Sequence, residues 1–150
     1  MIDHNSSKYQ FLKRLGLSAT NDGVLSDKWG GSGPKVSSVS PATGETIGEV
    51  SSATVTELDH CIQSSVEAWQ TWADLPAPKR GEIVRQIGDA LRANLDDLGA
   101  LVSLEMGKIK AEGVGEVQEF IDICDYATGL SRMFEGKHRN KYIPCVYNQT

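Results

Sequence analysis

Residues 112–134 form a long apolar-patterned run whose greasy positions fall on two opposite sides of a helix. Val117, Phe120, Ile121, Cys124 and Ala127 make one stripe, and Ile123, Tyr126 and Leu130 lie nearly opposite, with Glu119 one turn from Ile123. A helix of this kind is stable only between two layers. The rest of the chain reads as three more helices and a short β region, with no repeating βαβ signal. The covering layer is therefore expected from residues outside these 150.

Upstream, Tyr9 to Gly16 forms a short segment with Phe11, Leu12 and Leu15 on one face and Gly16 as its stop, which reads as a docked arm over residues 1–23. From Val24 to Val50 the pattern turns to strands, Val24–Trp29, Val36–Val39 and Glu45–Val50, joined by Gly30-Gly-Ser-Gly-Pro34 and Pro41-Ala-Thr-Gly44. A small antiparallel meander is expected. Thr54-Val-Thr-Glu57 has capping-box spacing, in which a hydroxyl and a carboxylate reciprocally satisfy amides at a helix start. The helix it opens carries Leu58, Ile62, Val66, Trp69 and Ala73 in one stripe. Pro76 and Pro78 end it and seed a second helix, with Ile83, Ile87 and Leu91 on its apolar face. Gly88 inside that helix costs about 1 kcal/mol relative to Ala, so another element is expected close to its backbone. A third helix runs from Leu95 to Met106 and stops at Gly107-Lys108.

Composition excludes several roles. With 20 acids against 15 bases and a net charge of -5, the chain lacks the clustered positive field that phosphate backbones require, so nucleic acid is not an expected partner. No apolar run reaches the roughly 20 residues of a membrane span, so no membrane partner is expected either. Cys61, Cys124 and Cys145 form no metal-ligand spacing and read as reduced thiols, which points to the cytoplasm, with mitochondrial import as the alternative.

Motifs that could carry chemistry have plainer readings. Gly113-Val-Gly115 begins a dinucleotide fingerprint, but Gln118 occupies the third glycine position and no strand precedes it. Gly30-Gly-Ser-Gly33 reads as a hairpin connection. His4, His60 and His138 lack a nucleophile set beside them and read as surface residues. Asp96 and Asp97 diverge on a helix and read as a solvated turn. Lys137 to Lys141 is a short basic cluster in a stretch, 135–150, that loses all periodicity and reads as an unrelated, disordered tail. Near its start, Gly136-Lys137 is what a splice donor read into an intron encodes; a real isoform or a lineage-specific tail is the other reading.

Four stretches, in order, resemble the aldehyde dehydrogenase superfamily: Val39-Ser-Pro-Ala-Thr-Gly-Glu45 with Ile47, Lys79-Arg-Gly-Glu-Ile-Val-Arg85, Leu104-Glu-Met-Gly-Lys108, and Ile121-Asp-Ile-Cys-Asp-Tyr-Ala127. Residues 76–92 followed by Glu112-Gly-Val-Gly-Glu-Val-Gln-Glu119 resemble its family 7, the antiquitins, which oxidise α-aminoadipic semialdehyde with NAD. The resemblance covers about residues 8–134 and departs at Ser40, where the superfamily usually has Asn. It implies an α/β fold class: the N-terminal portion of the aldehyde dehydrogenase fold, a small β meander and about four helices flanking a Rossmann-like NAD-binding domain, truncated, over residues 24–134.

The superfamily's nucleophilic cysteine, its general-base glutamate and its cofactor glycine loop have no counterpart in these 150 residues, so no catalytic or NAD-binding residue is expected here and the chain alone is expected to be inactive. Two roles do carry over. Glu119 matches the position that contacts the substrate amino group, against the plainer reading of a carboxylate paired with a neighbouring Lys or Arg. The carbonyl of Val39 and the carboxylate of Glu105 match positions that hold a structural monovalent cation, against a solvated Glu at a helix end. The resemblance further implies an aldehyde substrate and a homotetramer for the complete enzyme. The competing reading is a non-catalytic module that binds or inhibits full-length subunits.

Overall fold

The computed structural model describes residues 1–133; the expectations for residues 134–150, including His138, Cys145, the basic cluster and the tail, lie outside the described residues. A 3-10 turn at Ser7–Tyr9 leads into α1 (Gln10–Arg14). Then follow β1 (Thr20–Asp22), β2 (Val24–Leu25), β3 (Trp29–Gly30), β4 (Lys35–Val39) and β5 (Thr46–Ser51). Four helices complete the order: α2 (Val55–Asp74), α3 (Ala77–Ala93), α4 (Leu95–Met106) and α5 (Lys110–Met133).

The sheet differs from an antiparallel meander. Its order is β1-β5-β4, with β4 antiparallel and β1 parallel to β5, and β2 and β3 form a separate two-stranded ribbon. β1 is polar and three residues long, so it shows no alternation to read. Backbone bonds around it fix its place: Glu49 donates to Ala19 at 2.9 Å and Gly23 to Ser51 at 3.1 Å. The expected strand Val24–Trp29 is broken in the middle, where Ser26 donates to Lys28 across the ribbon's turn.

The N-terminal segment closes the other side of this sheet. Ile2 donates to Thr46 at 2.9 Å, and Ile2, Tyr9, Leu12 and Ile47 form a buried cluster against which Leu17, Leu101 and Leu104 pack. The reading of His4 as a surface residue is corrected here: its Nε2 donates to the carbonyl of Ile47 at 2.7 Å, pinning the arm to β5. Asp97, read as solvated, takes a bidentate pair from Arg14 at 2.6 and 2.7 Å that ties α1 to α4. That ion pair holds the Asp97 carboxyl below its ordinary range, chiefly through the Arg14 hydrogen bond.

α5 is the centre of the helical layer, held between α3 and α4. Its buried stripe is Val117, Ile121 and Cys124; Phe120, expected with them, points outward and is exposed. The contact face of α3 is also not the expected one. Ile83 and Ile87 are exposed, whereas Ala77, Gly81 and Gly88 are buried. Close approach explains the exchange: a Cβ on Gly88 would sit 3.0 Å from Cys124 Cβ, and one on Gly81 would overlap Ser131. Two helices this near leave no room for branched side chains between them. On the other flank, a Cβ on Gly99 would lie 2.5 Å from Val114 Cγ2, and one on Gly113 would strike the Gly99 carbonyl.

α2 behaves differently from its neighbours. Thr54 and Glu57 form the complete capping box, and Leu75 closes the helix before Pro76. None of its twenty residues is buried. Across the described residues eight apolar side chains are buried while twenty large ones remain exposed, so the apolar surface this chain displays exceeds the core it forms.

Candidate functional site

Glu119 sits on the outward side of α5. Because Val117, Ile121 and Cys124 are locked inward, the 3.6-residue repeat turns Glu119, Ile123 and Tyr126 away from α3 and α4, and all three are exposed. Two cationic side chains of the same helical layer have other partners: Lys108 pairs with Glu116, and Arg92 with Asp89 and Asp125 at 2.9 and 2.8 Å. Among the described residues Glu119 makes no hydrogen bond or ion pair, in contrast to the reading that gave it a Lys or Arg partner. On that side of α5 the exposed Phe120, Ile123 and Tyr126 flank the position of the carboxylate.

The second predicted pair lies at the junction of sheet and helix. The β4–β5 ladder shifts register between Ser38 and Val39, so Val39 pairs with Thr46 through an irregularity that re-aims the strand end. Ser38 Oγ donates to Glu105 Oε1 at 2.6 Å. Gly107, left-handed at φ 71°, brings the end of α4 so near the following turn that a Cβ there would lie 2.8 Å from Pro41 Cγ. Contacts on both sides of Val39 therefore join its strand end to the turn of α4 that bears Glu105. Among the described residues no cluster of three His, Cys, Asp or Glu side chains has metal-holding geometry, so an ion here would depend on carbonyl oxygens.

Two features escaped the residue pattern. A hollow between arm, sheet and α4 is lined by His4, Asp22, Ser38, Ile47, Leu101 and Glu105, and the buried Nδ1 of His4 has no partner among the described residues. Only the fold assembles it, since its lining comes from five separate segments. The other is the Gly31–Gly33 loop. Glu57 accepts from the Ser32 amide at 3.1 Å and its hydroxyl at 2.9 Å while also accepting from Thr54, so one carboxylate binds the loop to the start of α2. The Thr54 amide first, then the Ser32 hydroxyl, push the Glu57 carboxyl down to about 2. Gly113-Val-Gly115 lies inside α5, and Gly113 packs against Gly99, so it forms no cradle for a dinucleotide.

The sequence profile of the aldehyde dehydrogenase family matches residues 29–149, most of the chain, and the chain belongs to that family. Within it, the chain is similar to α-aminoadipic semialdehyde dehydrogenase of Bos taurus, 55% identical over 132 residues that cover 88% of this chain and 24% of the relative. It is 56% identical over 133 residues to aldehyde dehydrogenase family 7 member A1 of Pisum sativum, covering 88% of this chain and 26% of that one. Among solved structures, betaine aldehyde dehydrogenase of Staphylococcus aureus in complex with NAD+ superposes with a TM-score of 0.76 at 23% identity, over 91% of this chain and 28% of that one. That likeness concerns the fold. The chain spans about a quarter of the length of the relatives it matches. The profile match runs on to residue 149, beyond Phe134, where the resemblance was expected to end.

No helix among the described residues is long and apolar enough to cross a membrane.

Proposed function

We propose that this chain is the N-terminal piece of an NAD-dependent aldehyde dehydrogenase that oxidises α-aminoadipic semialdehyde to the carboxylic acid. The observation that carries the reading is identity above one half, over 88% of the chain, to relatives of family 7, including one named for that substrate. NAD would supply the hydride acceptor. The described residues do not fit it, because the space at Gly113 is filled by helix packing and Gly115 lies within α5, so no step is assigned to the cofactor here.

What these residues contribute is substrate positioning. Glu119 would accept hydrogen bonds from the ammonium group at the far end of the semialdehyde, while Ile123 and Tyr126 would exclude water from its methylene chain. Val39 and Glu105 would hold a monovalent cation that stiffens the joint between β4 and α4. The substrate role is tested by Glu119→Gln in the full-length enzyme. The variant is expected to raise KM for the amino-bearing aldehyde roughly tenfold more than for a plain aliphatic aldehyde, the worth of one charge-assisted hydrogen bond. Equal changes for both substrates would remove Glu119 from the site.

The exposed faces of α2 and α5 favour a second reading for the 150-residue chain on its own: a non-catalytic module that docks on full-length subunits.

A further inference from the structure

Six glycines lie inside α3, α4 and α5, and four of them seat a neighbouring helix: a Cβ on Gly81, Gly88, Gly99 or Gly113 would come to 3.0 Å or less from another element. Gly115 and Gly129 differ, with nothing within 4 Å of where a Cβ would stand. A glycine inside a helix weakens it relative to alanine, because its freer backbone loses more entropy on ordering. Contact with α3 or α4 does not account for Gly115.

Position separates the two open glycines. Gly115 precedes Glu119 by one turn and shares its outward face, whereas Gly129 lies ten residues beyond Glu119, about 15 Å along the helix. Long side chains of a helix lean toward its N-terminus, which carries a residue at 119 over the turn that holds Gly115. The Glu119 side chain nevertheless leaves the space at Gly115 free, and so does Lys108, which passes to Glu116. On the other sides stand Phe120, next in sequence, and Ile123 and Tyr126, one and two turns on. The acids three residues to either side are engaged, Glu116 with Lys108 and Asp122 with Gln118 at 2.8 Å. Among the described residues of this face, the open ground beside the unpartnered carboxylate is the bare backbone of Gly115.

We infer that Gly115 is a specificity-determining residue: it leaves room beside Glu119 for a branched head, a carbon that bears both an ammonium and a carboxylate group. An unbranched alkyl end does not need that room. The inference rests on the proposed role of Glu119 in binding the substrate amino group. A methyl or isobutyl group at position 115 would stand where the branched head approaches and would still admit a plain aliphatic aldehyde.

The test is a size series in the full-length enzyme. Gly115→Ala and Gly115→Leu are expected to raise KM for α-aminoadipic semialdehyde by about threefold and at least about tenfold, with KM for hexanal changed by less than about twofold. Gly129→Leu, the equally open control, leaves the ratio of the two KM values within about twofold. In a Glu119→Gln background, Gly115→Leu adds less than about threefold to that ratio, because the two positions act on one group. A lower melting temperature for Gly115→Ala with equal losses for both aldehydes would show that the remainder of the enzyme packs on Gly115, and would overturn the inference. A selective Glu119→Gln beside an unselective Gly115→Leu overturns it while leaving the Glu119 role standing; an unselective Glu119→Gln removes both.

Discussion

Two glycines two residues apart in α5 have opposite meanings. Gly115 has nothing within 4 Å of where its Cβ would be, whereas a Cβ on Gly113 would strike the carbonyl of Gly99 and crowd Ser103. Gly115→Ala should raise stability by about 1 kcal/mol, the helix-propensity difference alone. Gly113→Ala gains the same propensity but must push two helices apart, and overpacking of that kind outweighs it, for a net loss of about 1–2 kcal/mol. Urea unfolding followed by helical signal checks both; a stabilised Gly113→Ala would mean that α4 and α5 are not in contact. The same pair shows why a motif needs its surroundings. The letters of Gly113-Val-Gly115 suit a phosphate loop, and what decides between loop and helix seam is the carbonyl of a residue fourteen positions earlier, Gly99.

At the scale of elements, what could be read beforehand is what is locally determined. The capping box of α2, the left-handed stop at Gly107 and the Pro76 junction are set by residues within one turn, and all three stand where the pattern put them. The contact face of α3 was not legible, because hydrophobicity points to Ile83 and Ile87 while the true contact runs through glycines that carry no hydrophobic signal. Of the candidate site, Glu105 could be placed at the end of a helix, but its link to Ser38 is a contact across sixty-seven positions.

The start of α2 carries an acid-sensitive clamp. Glu57 titrates near 2 in the folded chain against an ordinary 4.5. Its folded value is depressed, so the unfolded chain binds the proton first; the stabilisation is complete above 4.5 and is lost as pH falls toward about 2. The melting-temperature difference between the parent chain and Glu57→Gln should therefore be constant above that range and shrink through it. A difference that stays the same at low pH would show that the carboxylate does not hold the Ser32 loop.

At the scale of the whole molecule, a small core and a large apolar exterior describe a polypeptide built to be covered. The arm, sheet and α4 form one packed unit, and α3, α4 and α5 another that shares α4. Purified chain mixed with aldehyde and NAD is expected to give no turnover, while the same chain added to full-length enzyme is expected to co-elute with it. NADH formation by the chain alone would contradict its reading as a non-catalytic piece, and failure to co-elute would end the docking-module alternative.

Gly81 and Gly88 are seven residues apart on α3, and the two α5 residues they receive, Ser131 and Cys124, are also seven apart in the reverse direction. The two helices thus mesh like a key with two notches. Sliding α5 by a single turn would drive its teeth into Val84 and Leu91 or into other residues that have no gap to offer. The helix that carries Glu119 outward is thereby fixed in both height and rotation, so whatever meets that carboxylate meets it at one place.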